Sequence, residues 1–187
     1  MMDVLVQYEL QFLHLLHNTL TPFWSVFWTI ITYFGEGGIF WIALSLTMMI
    51  FKKTRKAGFA MGLALLMGVI VGNGILKNVV ARPRPFILDP TLSIGLAWGK
   101  MSGDFSFPSG HTMASFEASF ALFLQHKKGG IAALILALFV AVSRLFLSVH
   151  YPTDVLAGAL IGLLFAYLAT RIVDLLYQKW DNRKKKA

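Results

Sequence analysis

Apolar runs broken by short hydrophilic stretches set the pattern of this chain. They cover roughly 20–34, 38–51, 58–76, 109–125, 130–147 and 152–177. A membrane-crossing helix needs about 20 mainly apolar residues. The pattern therefore predicts an all-α, polytopic membrane protein, with a bundle of six transmembrane helices over 20–178. The first two runs are short. Thr21-Pro22 predicts an N-cap and first-turn pair, Ser109 an N-cap, and Tyr151-Pro152 the start of the last helix. Residues 1–19 place Gln7, Glu9, Gln11, His14 and His17 among leucines, too polar a mix to span. Leu5, Tyr8, Phe12, Leu15 and Leu16 recur there at helical spacing, which predicts an interfacial helix. Residues 1–187 read as one domain ending in a basic cytoplasmic tail over 179–187.

Composition agrees. Of 187 residues, 57% are hydrophobic and 14% charged, against about 25% charged in a soluble domain. No cysteine is present, which excludes disulfides, thiolate catalysis and cysteine-ligated metals. The net charge of +8 resides largely in three groups: Lys52, Lys53, Arg55 and Lys56; Lys127 and Lys128; and Lys179, Arg183, Lys184, Lys185 and Lys186. They follow the second, fourth and sixth runs, so all fall on one side, which the positive-inside rule makes cytoplasmic, with both termini there. No soluble basic face is left to carry a nucleic-acid partner. The start of the chain lacks a basic n-region, a short apolar core and a small-residue cleavage site, so no cleaved signal peptide is expected.

The outer side then receives the turn at 35–38, the stretch 77–107 and the junction 143–154. Lys77, Arg82, Arg84 and Arg144 lie there, where basic residues are disfavoured; topology does not explain them, and a ligand does. In Pro108-Ser109-Gly110-His111, the backbone N–H groups after the Ser109 cap point at an anion, and Gly110 permits close approach. In Ser143-Arg144-x5-His150-x3-Asp154, Asp154 falls in the first helical turn. There it can orient the His150 imidazole and leave the other ring nitrogen free as a nucleophile. The planar fork of Arg144 suits a phosphate. In Lys77-x6-Arg84-Pro85, Pro83 and Pro85 stiffen the chain. Arg82 reads as a lipid-headgroup contact in preference to a third phosphate ligand.

Other residues are assigned no chemistry. Asp89 and Asp104 read as solvated loop acids, Glu36 as a residue at the mouth of the site, and Glu117 as lying on a helix face different from that of His111. His14 and His17, with no third ligand in view, read as surface histidines. Gly68-x3-Gly72 and Gly158-x3-Gly162 read as packing contacts within the bundle, homodimerisation being the alternative.

Together the three motifs resemble the signature of the type-2 phosphatidic acid phosphatase superfamily, the lipid phosphate phosphatases. All three are complete and in order from Lys77 to Asp154, and the helical pattern extends the likeness over most of the chain. The resemblance implies His150 as nucleophile forming a phosphohistidine, Asp154 orienting it, and His111 as general acid. It implies Lys77, Arg84, Ser109, Gly110 and Arg144 as phosphate ligands, with no metal and no cofactor. The expected substrate is a membrane-borne lipid phosphate or diphosphate met on the outer face of a bacterial cell membrane. Undecaprenyl diphosphate is favoured, and phosphatidic acid or phosphatidylglycerol phosphate is the alternative. A vanadate-dependent haloperoxidase uses a similar constellation, but those enzymes are soluble and the apolar runs argue against one. A channel or transporter would carry charges near mid-span, whereas these gather at helix ends.

Overall fold

The computed structural model describes residues 4–93 and 104–185. Lys186 and most of the 94–107 part of the loop, up to residue 103, lie outside the described residues. All regular elements described are helical: α1 (Val4–His17), α2 (Pro22–Tyr33), a 3-10 turn (Glu36–Gly38), α3 (Ile39–Ile50), α4 (Arg55–Met67), a π-helical stretch (Gly68–Leu76), α5 (Lys77–Val80), α6 (Pro85–Leu88), a second 3-10 turn (Pro90–Leu92), α7 (Gly110–Gln125), α8 (Lys127–Phe146) and α9 (Pro152–Lys184). The start signals hold. Thr21 caps α2 with Pro22 at N1, Ser109 caps α7, and Tyr151 caps α9 with Pro152 following.

Among the described residues, four stretches are long and apolar enough to cross a membrane: Pro22–Ile50, Arg55–Leu88, Lys127–Phe146 and Pro152–Lys184. The first and second runs expected from the sequence thus fall in a single 29-residue stretch. Gly37 and Gly38, at φ 55 and 67, break the helix there without reversing it. The contacts show one direction of travel along α7: Gly35 lies against His111, Gly38 against Ala114, and Trp41 Nε1 donates to Ser115 Oγ at 3.0 Å. The two runs expected as separate crossings therefore form one candidate span. α7 has 16 residues, about 24 Å of helix against ~30 Å of hydrocarbon. It is nonetheless central, packing against α3, α4, α8, α9 and the π-helical stretch.

Small residues let these helices close on one another. Ala57, Ala60, Ala118, Ala121 and Ala166 are buried together with Trp41, Met61 and Val173. A Cβ on Gly158 or Gly162 would lie 2.7 Å from the backbone oxygens of Ser109 and Met113, and one on Gly72 would lie 2.2 Å from Met113 Cε. Both glycine pairs therefore receive α7, as within-bundle packing requires.

The two ends of the bundle differ. Lys56 pairs with Asp174 at 2.8 Å, and Gln125 donates to Asp174 at 2.9 Å, so the basic clusters share one end. α9 continues to Lys184, making much of the expected tail helical. At the other end α1 docks through buried Glu9, Leu10 and Leu13 and leaves Leu5, Tyr8, Phe12 and Leu15 exposed. Its Glu9 meets Thr153 in the first turn of α9. The N-terminal helix and the C-terminal end of α9 thus lie at opposite ends of the bundle, whereas the sequence led us to expect both termini on one side of the membrane.

Candidate active site

Ala81, at φ 47, ends α5 in the left-handed region. Pro83 and Pro85 then hold the chain extended, with Arg84 at φ −74 and ψ 155. In a polyproline-like run of about three residues per turn, side chains two apart do not share a face. Arg84 and Arg82 accordingly part company. Arg84 is 2% exposed; its Nε donates to the Asp104 carbonyl at 3.0 Å and its Nη1 to the Val149 carbonyl at 2.9 Å. Arg82 turns to Asp154, Thr153 and Glu9 and lies over the Tyr151 ring. These protein partners occupy its guanidinium, a set of contacts that the headgroup reading did not include.

Backbone bonds draw the three motifs together. Ser106 N–H donates to the Arg82 carbonyl at 2.8 Å, and Ser109 N–H to the Asp154 carbonyl at 3.1 Å. Asp154 caps its own helix by accepting Tyr151 N–H on Oδ2 at 2.9 Å. The same oxygen accepts the Ser106 hydroxyl and lies 3.6 Å from His150 Nδ1, with Ser106 Oγ 3.4 Å from that nitrogen. The expected contact of Asp154 with His150 is thus loose and shared with a serine. His150 Nε2 lies 3.3 Å from Arg84 Nη1. Burial, aided by Arg84 and Arg144, holds the His150 imidazole well below its ordinary value, so it is neutral near pH 7.

Lys77, Arg84, Gly110, His111 and His150 line one cavity of about 350 Å³. Asp154 adjoins His150 but is itself fully buried, as are Ser109 and Arg144. The Ser109 hydroxyl is engaged by Thr112, 2.9 Å from its Oγ1, and Arg144 Nη1 donates to Thr32 Oγ1. Arg144 remains within electrostatic range of Arg84, His111 and Glu36.

Several residues play parts that local pattern did not indicate. Asp104, expected as a solvated acid, pairs with Lys77 and with Arg84 and lines the cavity. Asp89 pairs with His14 at 2.7 Å. Glu36 lines the cavity, in line with its expected place at the mouth of the site, and its Oε2 also sits 3.1 Å from His111 Nε2, a contact the sequence did not indicate. Asn73, on the π-helical stretch, faces Gly110 across the wall. Glu117 shares the cavity with His111 after all, because the cavity follows the i, i+3, i+6 ridge of His111, Ala114 and Glu117. The one signal in the sequence for Glu117 was a carboxylate within an apolar run.

A helical membrane bundle with two imidazoles and cations around one cavity defines a site suited to phosphoryl transfer, which needs chiefly positioning and charge stabilisation. A model of the PAP2 superfamily matches residues 55–178, and the chain belongs to that superfamily. An undecaprenyl-diphosphatase of Sulfolobus acidocaldarius is 33% identical over 134 residues, 71% of this chain and 63% of that protein. The bacitracin transport permease protein BcrC of Bacillus licheniformis is 33% identical over 156 residues, 80% of this chain and 73% of that protein. Phosphatidylglycerophosphatase B of Bacillus subtilis is 37% identical over 120 residues, 56% of this chain and 55% of that protein. The chain thus spans less than two thirds of the Sulfolobus relative. Among solved structures, a PAP2-type phosphatidylglycerolphosphate phosphatase from Bacillus subtilis superposes with a TM-score of 0.75 at 24% identity, covering 92% of this chain and 88% of that one. Aquifex aeolicus LpxE superposes with a TM-score of 0.65 at 27% identity, covering 87% and 94%.

Proposed function

We propose that this chain is a multi-pass membrane phosphatase that hydrolyses a lipid phosphate or diphosphate through a phosphohistidine at His150. The observation that carries the reading is the convergence of Lys77, Arg84, Gly110, His111 and His150, from three separated motifs, on one cavity. Neutral His150 attacks phosphorus through Nε2, the nitrogen beside Arg84, while Nδ1 keeps its proton toward Asp154 and Ser106. Lys77 and Arg84 hold the phosphoryl oxygens, Arg144 adds charge from beneath, and the first N–H groups of α7 supply further donors. His111 gives its proton to the leaving oxygen as the P–O bond breaks, then takes one from the water that attacks the phosphohistidine. Glu36 steadies the His111 imidazolium. The residues in this cycle do the chemistry without a metal or cofactor. Ser109 serves through its cap, which fixes the α7 N-terminus.

In this reading the bundle crosses the membrane five times, α1 lies in the outer interface, and the site opens outward, opposite the basic clusters. Undecaprenyl diphosphate is the favoured substrate, supported by the name of the Sulfolobus relative; phosphatidylglycerol phosphate is the second candidate, supported by the name of the Bacillus subtilis relative. The test presents purified protein in detergent with farnesyl diphosphate, phosphatidic acid and phosphatidylglycerol phosphate and measures inorganic phosphate. Diphosphate is expected to turn over fastest, and His150→Ala to abolish release from all three while the protein remains folded. Substantial turnover by His150→Ala would remove the nucleophile from this scheme, and chelator-sensitive activity restored by a divalent ion would remove the metal-free mechanism.

A further inference from the structure

Glu9 stands well outside the stretch that the family model matches, yet it is built into the back of the site. It is 5% exposed. Its Oε1 accepts from Thr153 N–H at 2.9 Å and from Thr153 Oγ1 at 2.6 Å, and its Oε2 accepts from Arg82 Nη2. Arg82 Nη1 in turn donates to Asp154 Oδ1 at 2.7 Å and to Thr153 Oγ1 at 2.7 Å. The guanidinium lies over the Tyr151 ring, 3.8 Å from its centroid. Asp154 is therefore held on both oxygens: Oδ1 by Arg82, and Oδ2 by Tyr151 N–H and Ser106 on the side that faces His150. Arg82 reaches Asp154 without lining the cavity.

We propose that Glu9 and Arg82 are a positioning pair for the nucleophile. The N-terminal helix, acting through Arg82, fixes the Asp154 carboxylate and with it the ring orientation of His150. The inference rests on the roles given above to His150 and Asp154. Both charges of the pair matter. As the Nε2–P bond forms, positive charge grows on the His150 ring, and Asp154 must stay anionic to offset it. Arg82 alone would cancel much of that negative charge. Glu9 takes up the other arm of the guanidinium and leaves Asp154 its field. Without Arg82, two buried carboxylates would face each other with no cation between them, and one would have to shift or take a proton. A buried fork of this kind is not reproduced by lysine.

The test uses the full-length protein in detergent with farnesyl diphosphate, comparing wild type, Glu9→Gln, Arg82→Lys, the double variant, Leu10→Ala and His150→Ala. Partners that orient the ligands of a metal site are worth on the order of tenfold to a hundredfold; by analogy, a kcat loss at the lower end of that range is expected for each single variant. KM should stay within about twofold, because the interaction acts in the transition state and not on the bound substrate. The double variant should be no slower than the slower single, the two residues acting as one unit. Leu10→Ala loosens the same helix without touching the ion pair, so it should lower the thermal midpoint and leave kcat at the wild-type value. Wild-type kcat in both single variants, a loss confined to KM, strictly additive losses, or a Leu10→Ala loss of kcat equal to that of Glu9→Gln would each overturn the proposal. His150→Ala separates the two levels: turnover in that variant defeats the phosphohistidine reading itself, whereas a dead His150→Ala beside unimpaired Glu9→Gln and Arg82→Lys defeats only the positioning pair.

Discussion

Lys77 and Arg84 already hold a carboxylate, that of Asp104. A phosphate entering the cavity must take over those two cations, so Asp104 competes with it. Asp104 is about half exposed, and solvent limits what one such charge contributes to about 1 kcal/mol, some fivefold in an equilibrium. Asp104→Asn is therefore expected to lower KM for a lipid phosphate by a few-fold at low ionic strength, with the gain shrinking as salt is added. An unchanged or raised KM across a salt series counts against the competition. His150 carries a different expectation. Its folded value is depressed, so as pH falls below the ordinary imidazole range the unfolded chain binds a proton that the folded chain does not. Stability should then decline as pH falls through that window, by up to about 1.4 kcal/mol per pH unit. Thermal midpoints of wild type and His150→Gln between neutral and mildly acidic pH check this, the variant giving the flatter profile. The residues that meet in the cavity were legible because their chemistry is unusual for where they stand: cations on the disfavoured side and a histidine just after a helix cap. Arg82, Asp104 and Glu9 were not. Glu9 lies 73 residues from Arg82 in sequence, and nothing near either one announces the partner.

At the scale of elements, α7 is the part on which the others register. Gly158 lets the first turns of α9 approach the α7 cap, where an added Cβ would stand 2.7 Å from the Ser109 carbonyl oxygen. Backbone cannot swing aside as a long side chain can. Gly158→Ala is expected to destabilise by roughly 1–3 kcal/mol, the usual range for overpacking, and to lower kcat because α9 carries Asp154 while α7 carries His111. The thermal midpoint and turnover of the variant should fall together; normal values for both would show that the helices can part without consequence. The sequence made this contact legible, since a small-x3-small pair in an apolar run marks close approach. It did not make the path of α2 and α3 legible. Two short apolar runs around Gly35-Glu36-Gly37-Gly38 look the same whether the glycines reverse the chain or only kink it. The choice is made by distant contacts, Gly35 on His111 and Val140 and Gly38 on Ala114.

At the scale of the whole molecule, that kink decides where the N-terminus goes. With α2 and α3 in one crossing, as proposed, the basic clusters after α3, between α7 and α8 and at the end of α9 still share an end, because the crossings between them are unchanged. Only α1 moves, to the end that holds the site. Its exposed Leu5, Tyr8, Phe12 and Leu15 suit the lipid interface there, while Glu9 faces inward to Arg82. The absence of cysteine makes the arrangement directly testable. A single cysteine placed as Tyr8→Cys in α1 should react with a membrane-impermeant maleimide added outside intact cells. One placed as Lys185→Cys, just past α9, should react only after the cells are opened or in inverted vesicles. Both substituted positions are exposed, so failure to label would not come from burial in the fold. Labelling of the two from the same side would return both ends of the chain to one face of the membrane. It would require that α2 and α3 form a hairpin, which their successive contacts down α7 do not permit, and the five-crossing arrangement would have to be abandoned together with the docking of α1 behind the nucleophile.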